Sequence, residues 1–187
     1  MNRIANGFLI LTIIFLASCS SSRKTTTTKS PVTKAEDIKS TVKIKKKVPV
    51  IIINTKNVSA NEVVDFAEKL QGIKYTYGSA VKEKGFDCSG FITYVFLEFN
   101  IRVPRISYEF TSVGNEVPIK ECRRGDIILF TGSDPNSGIV GHMGIVTSNK
   151  NGDVEFIHAS SSRGVMISGM NSYFVPRFVK VNRIFKN

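Results

Sequence analysis

"GFDCSGFITYVFLEF", residues 85–99, decides the fold and poses a chemical question with it. Its apolar positions 88, 91, 92, 95, 96 and 99 fall at i, i+3, i+4, i+7, i+8 and i+11, one continuous helical face. The helix is predicted to start at Asp87 or Cys88, so the face begins with one of the three cysteines in the chain. A cysteine there has two readings. It is a small apolar residue that continues the core, because unpaired cysteines are among the most buried residue types. Or it is a nucleophile. A thiol reacts as thiolate, and the free N–H groups of a helix's first turn favour negative charge. The same groups can hold an oxyanion. Gly90 would then leave the next turn open to a substrate backbone. This segment alone leaves both readings open.

The histidines bear on the choice. There are two, His142 and His158. "SNKNGD", residues 148–153, reads as a hairpin turn between two strands that each carry one of them. Partners across a hairpin have residue numbers of nearly constant sum, and a turn centred near 150–151 sets the two histidines roughly opposite each other. With an even register they share a face and reach each other; a slip of one residue separates them. A thiol, a base and a group orienting that base form a nucleophilic site. Two unrelated histidines, one in the core and one on the surface, are the plain alternative. Zinc held by Cys88, His142 and His158 is the competing chemistry. No ligand pair stands at the short spacing common in zinc sites, and Cys122 has no motif around it, so no metal is expected. Cys122 reads as a buried apolar residue without a disulfide.

Around these residues the chain changes period. Ser59-Ala60-Asn61-Glu62 is a capping box, followed by Val63, Val64, Phe66, Ala67 and Leu70 at helical spacing and by Gly72 as a stop. "IKYTYGSAVKEKG", residues 73–85, is turn-rich. After about residue 124, "GDIILFTG", "HMGIVTSN", "DVEFIHAS", "GVMISG" and "PRFVKVNRIF" read as strands between Gly, Asn, Asp and Ser clusters. Helices first and antiparallel strands after them predict an α+β fold, with N-terminal helices packed on a mainly antiparallel sheet.

The first 58 residues have a different character. Arg3 and the apolar run Phe8 to Leu16 form a signal segment too short to span a bilayer. Leu16-Ala17-Ser18-Cys19 resembles a bacterial lipobox, so residues 1–18 are expected to be removed and Cys19 to carry lipid. Two or three acyl chains hold far better than one, at about 0.8 kcal/mol per buried methylene. Residues 19–58 are then a lipidated cysteine and a flexible basic linker. From Ser20 to Val58, fully extended, it reaches at most about 130 Å. The formal net charge is +11, but residues 1–50 hold 10 of the 26 Lys and Arg and only Glu36 and Asp37 of the acids. The basic excess belongs to the tail, not to a groove on a folded face, and nucleic acid is not an expected partner.

"DCSGF", "GHMGIV" and "FIHAS", in that order, resemble the signature blocks of the NlpC family of bacterial cell-wall cysteine peptidases, which have a compact papain-like fold. "YTYGS", "VPRIS" and "RRGDIILF" extend the resemblance across roughly residues 59–185, and the domain is taken as 59–187. The resemblance implies that Cys88 is the nucleophile, His142 the base and His158 the group that orients it. It puts Tyr75 at the oxyanion site and Asp87, Ser89 and Arg105 at the substrate pocket, with an N-cap role open for Asp87 and an ion-pair role for Arg105. Glu109-Phe110 departs from the usual polar pair, a change expected at the pocket edge. The implied activity is hydrolysis of amide bonds in peptidoglycan stem peptides, between D-γ-glutamate and a diamino acid such as diaminopimelate, with no metal or organic cofactor. Some members cut the cross-link instead, and an inactive wall-binding module is the other alternative. The expected partners are the stem peptides and the membrane, reached through Cys19, and the chain is expected to act as a monomer. Ser20 after the lipidated cysteine points, in enteric-type sorting, to the outer membrane facing the periplasm.

Overall fold

The computed structural model describes residues 49–186. The signal segment, the lipidation of Cys19 and the linker up to residue 48 lie outside the described residues. No helix among the described residues is long and apolar enough to cross a membrane.

Helix α1 (Ala60–Glu68) begins with the predicted box. Ser59 Oγ accepts from the Glu62 N–H at 3.2 Å, and the Glu62 carboxylate accepts from the Ser59 N–H at 2.8 Å. Val63, Val64 and Ala67 form its buried face. Residues 51–58, read from sequence as linker, lie against the domain. Ile51 bridges Val113, and Ile53 and Val58 pack on the core. The run Val50 to Ile53 is apolar, but a short continuous apolar run shows no period and does not say where it docks.

The turn-rich stretch holds a short antiparallel ribbon, β1 (Ala80–Val81) and β2 (Gly85–Phe86). Two residues per strand show no period, so sequence reads them as turns. Helix α2 (Cys88–Glu98) follows, with Asp87 as its N-cap. Phe91, Ile92, Val95 and Phe96 are fully buried; each such side chain contributes about 1.5–3 kcal/mol through burial. A 3-10 turn at Ser107–Ser112 buries Phe110 in this core and leaves Glu109 exposed.

The sheet comprises β3 (Asn115–Val117), β4 (Ile127–Thr131), β5 (Val140–Lys150), β6 (Asp153–Ser160), β7 (Gly164–Gly169) and β8 (Phe178–Arg183). Its order is β3-β8-β4-β5-β6-β7, and every neighbouring pair is antiparallel. Alternation divides each strand between two faces. Ile127 and Leu129 of β4, Met143 and Ile145 of β5, and Ile157 and Ala159 of β6 pack towards the helices. Ile128, Phe130, Val146 and Phe156 point the other way, into a second cluster with Cys122, Phe174 and Val181. The result is the α+β layout expected from the order of periods.

Candidate active site

Helix α2 brings Cys88 to the start of β5, where its Sγ lies 3.7 Å from the Gly141 carbonyl oxygen. Cys88 is 9% exposed and belongs to the core, yet it lines a cavity of about 420 Å³ together with His142, His158 and Tyr75. The residue is thus at once part of the core and part of the cavity wall. Burial and then the neighbouring Asp87 carboxylate push the thiol up to about 11, against the opposing pull of the Ser89 and Cys88 backbone N–H groups.

The two histidines meet through a register that the turn alone would not produce. Lys150–Asp153, Asn149–Val154 and Ser148–Glu155 are partners around the Asn151-Gly152 turn, with numbers summing to 303. Carried straight through, that odd sum puts His142 and His158 on opposite faces. A bulge at Thr147 absorbs one residue, so Val146 faces Phe156, Ile145 faces Ile157, and the sum becomes 302. The histidines then share a face as diagonal neighbours rather than direct partners. The Thr147 carbonyl accepts from Arg124, which also pairs with Asp65 and Glu68 of α1.

Gly144 stands between them. It lies opposite His158 in this register, and a Cβ there would fall 2.8 Å from the Phe156 ring and 3.3 Å from His158 Cβ. Without that side chain the His158 ring reaches across, and its Nδ1 lies 2.9 Å from His142 Nε2. On its other side His158 Nε2 lies 3.0 Å from Ser168 Oγ. Phe174 stacks on His142 and meets His158 edge-on. In this apolar cage burial lowers His142 to about 4 and His158 to about 3, the latter with help from the charges of His142 and Arg163. Both rings are neutral at pH 7.

Each of these contacts can run in either direction, and one order of protons leaves His142 able to accept another. His142 Nε2 is engaged with His158, which leaves Nδ1 as its free nitrogen. For Nδ1 to take a proton, the proton already on the ring must sit on Nε2 and donate to His158 Nδ1. His158 then carries its own proton on Nε2 and donates to Ser168. In that order of protons the donors run away from the cysteine. A thiolate and an imidazolium formed together are each other's counter-ion, so the paired change costs less than either charge raised alone.

Tyr75 lines the same cavity. Burial, and then the proximity of Cys88, raises its hydroxyl pKa, so it stays protonated and able to donate. Asp87, Ser89 and Arg105 are not among the residues lining this cavity, and the N-cap role of Asp87 and the ion pair of Arg105, both left open by the sequence, are what the structure shows. They satisfy one another. Asp87 caps α2 by accepting from the Gly90 N–H, and Arg105 holds its two oxygens at 2.8 and 3.1 Å and Ser89 Oγ at 3.0 Å. Gly90 is likewise committed to packing. A Cβ would meet the Ser79 carbonyl oxygen at 2.1 Å, so its bareness admits the loop before β1, not a substrate.

Ser168, Arg163 and Arg177 border the cavity and were not singled out from sequence. Pairing across β6 and β7 sets His158 opposite Met166, so Ser168 shares the face of His158; reading "SSRG" as a hairpin turn would have found it. Cys88 and Cys122 are both free thiols, and Cys122 is buried in the second cluster. Among the described residues no group of three or more His, Cys, Asp and Glu is placed to hold a metal ion.

The model of the NlpC/P60 family matches residues 72–183. A murein DD-endopeptidase/murein LD-carboxypeptidase of Escherichia coli strain K12, MepS, is 36% identical over 127 residues, 66% of this chain and 62% of that protein. The chain thus spans about three fifths of that relative's length. The probable endopeptidase NlpC of the same strain is 33% identical over 122 residues, 64% of this chain and 75% of that one. An NlpC/P60 family protein of Bacillus cereus shares the fold, with a TM-score of 0.61 at 23% identity over 70% of this chain and 41% of that chain. The chain belongs to the NlpC/P60 family.

Proposed function

We propose that this protein is a cysteine endopeptidase that hydrolyses amide bonds in peptidoglycan stem peptides, tethered to the cell envelope through a lipidated Cys19. The observation that carries the reading is the meeting of Cys88, at the N-terminus of α2, with the His142–His158 pair in one cavity. The relatives named as endopeptidases of murein supply the substrate class.

The reaction starts as Cys88 Sγ attacks the carbonyl carbon while His142 Nδ1 takes the thiol proton. The carbonyl oxygen gains the negative charge, held by the Cys88 backbone N–H and the Tyr75 hydroxyl. As the C–N bond breaks, the imidazolium gives its proton to the leaving amine, and a thioester remains. Water loses a proton to His142, attacks the thioester, and releases the acid and the free thiol. His158 keeps the ring oriented throughout and accepts the Nε2 proton's hydrogen bond.

Cleavage between D-γ-glutamate and the diamino acid is the first bond proposed. Cleavage at the cross-link is the second, favoured by the relative named a DD-endopeptidase. Purified sacculi digested with the wild-type protein and with Cys88→Ala, followed by mass spectrometry of the released fragments, test both. Fragments ending at D-glutamate support the first bond, and separated but intact stems support the second. Equal release by Cys88→Ala would refute the cysteine mechanism.

A further inference from the structure

The cavity beside Cys88 carries charge of one sign. Arg163 and Arg177 line it, and among the described residues no aspartate or glutamate does. Arg163 stands exposed in the turn between β6 and β7, with no salt bridge among the described residues. Its charge already reaches into the site, where it helps hold His158 neutral. Arg177 stands on another wall, in the turn before β8. Its Nη1 donates to the Tyr173 carbonyl at 2.9 Å and its Nη2 to the Ser133 carbonyl at 3.0 Å, with the guanidinium 3.9 Å from the centre of the Tyr173 ring. The side chain is fixed, yet its Nε–H is buried without a partner among the described residues and no carboxylate neutralises it. Arg105, Arg124 and Arg183, by contrast, each face an acid.

We propose that Arg163 and Arg177 form a carboxylate-binding subsite that selects peptides with a free carboxylate beside the scissile amide. The proposal rests on the peptidase reading and narrows its substrate. A guanidinium fork matches a carboxylate in shape and charge. Arg177 is ordered beforehand, so little rotamer freedom is lost on binding. A cavity of one sign also concentrates anionic substrates, an effect that salt screens. Stem peptides offer the matching groups: γ-linked D-glutamate keeps its α-carboxylate free, and diaminopimelate keeps a carboxylate as well. Amidation of those groups removes the charge and leaves the scissile bond unchanged.

The test compares two synthetic stem peptides that differ only in whether the carboxylates beside the scissile bond are free or amidated. Cleavage is measured with wild type, Arg163→Gln and Arg177→Gln, and binding is measured by calorimetry on Cys88→Ala. The acid form is expected to be favoured in kcat/KM by about tenfold, equivalent to about 1.4 kcal/mol, with the preference shrinking at about 0.5 M salt. Either arginine substitution should bring the ratio towards one. Arg163 is exposed and outside the ion pairs, so its variant reports on the subsite without a folding defect. A wild-type ratio near one, or a ratio unchanged in Arg163→Gln, overturns the proposal. If wild type cleaves neither peptide while Cys88→Ala still binds the acid form more tightly, the peptidase reading fails and the subsite stands.

Discussion

On one side of Cys88, Asp87, Ser89 and Arg105 satisfy one another; on the other, His142, His158 and Ser168 form a chain that ends open at His142 Nδ1. The first cluster is charged and closed, and a half-exposed arginine neutralises its acid. The second is neutral, caged by Phe130, Phe156 and Phe174, and its one uncommitted nitrogen belongs to a ring in the cleft. Both lie near the same sulfur, yet only the second holds a ring nitrogen that can take a proton and pass it on. A closed network fixes where the helix begins; an open chain can move a proton.

That contrast breaks most sharply in paired substitutions. His142→Ala should lower kcat/KM by about 10²- to 10⁴-fold, the usual weight of a positioned acid–base group, with little change in the melting temperature. Asp87→Ala should do the reverse in the first instance. Loss of the N-cap costs about 1 kcal/mol, and the ion pair, with its arginine side chain 40% exposed, adds about 1 kcal/mol more. Denaturant titration beside steady-state kinetics separates the two. If His142→Ala proves the more destabilised and Asp87→Ala the less active, the assignment of roles is inverted.

The clusters also differ in how far sequence reveals them. Helix α1 with its capping box, α2 with Cys88 in its first turn, and the five main strands are legible because each carries a local period or cap. The approach of His142 to His158 is legible as far as the hairpin. The bulge at Thr147 is not, because it is tied down by Arg124, whose other partners are on α1. The residues beside Cys88 in sequence are legible only in part, for a related reason. Asp87 and Ser89 stand next to Cys88, but their orientation depends on Arg105, a separate loop residue. The ion pair is one of the roles the sequence leaves open, and only the folded loop decides which acid Arg105 meets.

Acid should strike the histidine cluster. His158 titrates near 6.5 when unfolded and is lowered by burial to about 3 in the fold. Between those values the unfolded chain binds one more proton than the folded one, so stability falls as pH falls. The contribution is fully present above about pH 6.5 and amounts to a loss of about 2 kcal/mol at pH 5. His158→Phe, which keeps an aromatic ring beside Phe156 and Phe174, removes this titration. Chemical denaturation at pH 7.5 and 5 should therefore show a drop about 2 kcal/mol smaller in the variant. An equal drop in both would place the proton-sensitive group elsewhere.

The smallest effect expected is at Ser168, the far end of the open chain. Its hydroxyl accepts from His158 Nε2 when the protons run away from Cys88, and so holds His158 in the tautomer whose Nδ1 faces His142. A neutral hydrogen bond contributes about 0.5–1.5 kcal/mol, so Ser168→Ala should lower kcat by about 2- to 10-fold. KM should hold, because the residue acts through His158 rather than on substrate. Ser168→Thr retains the hydroxyl and should restore most of the loss. A merely structural role predicts a different pattern, with kcat and KM moving together and no rescue by threonine. Nitrogen NMR of the imidazoles gives the second readout: in wild type the His158 proton should reside on Nε2, and in Ser168→Ala the two tautomers should mix. A proton fixed on Nδ1 in the wild type would reverse the direction of the chain and remove Ser168 from it.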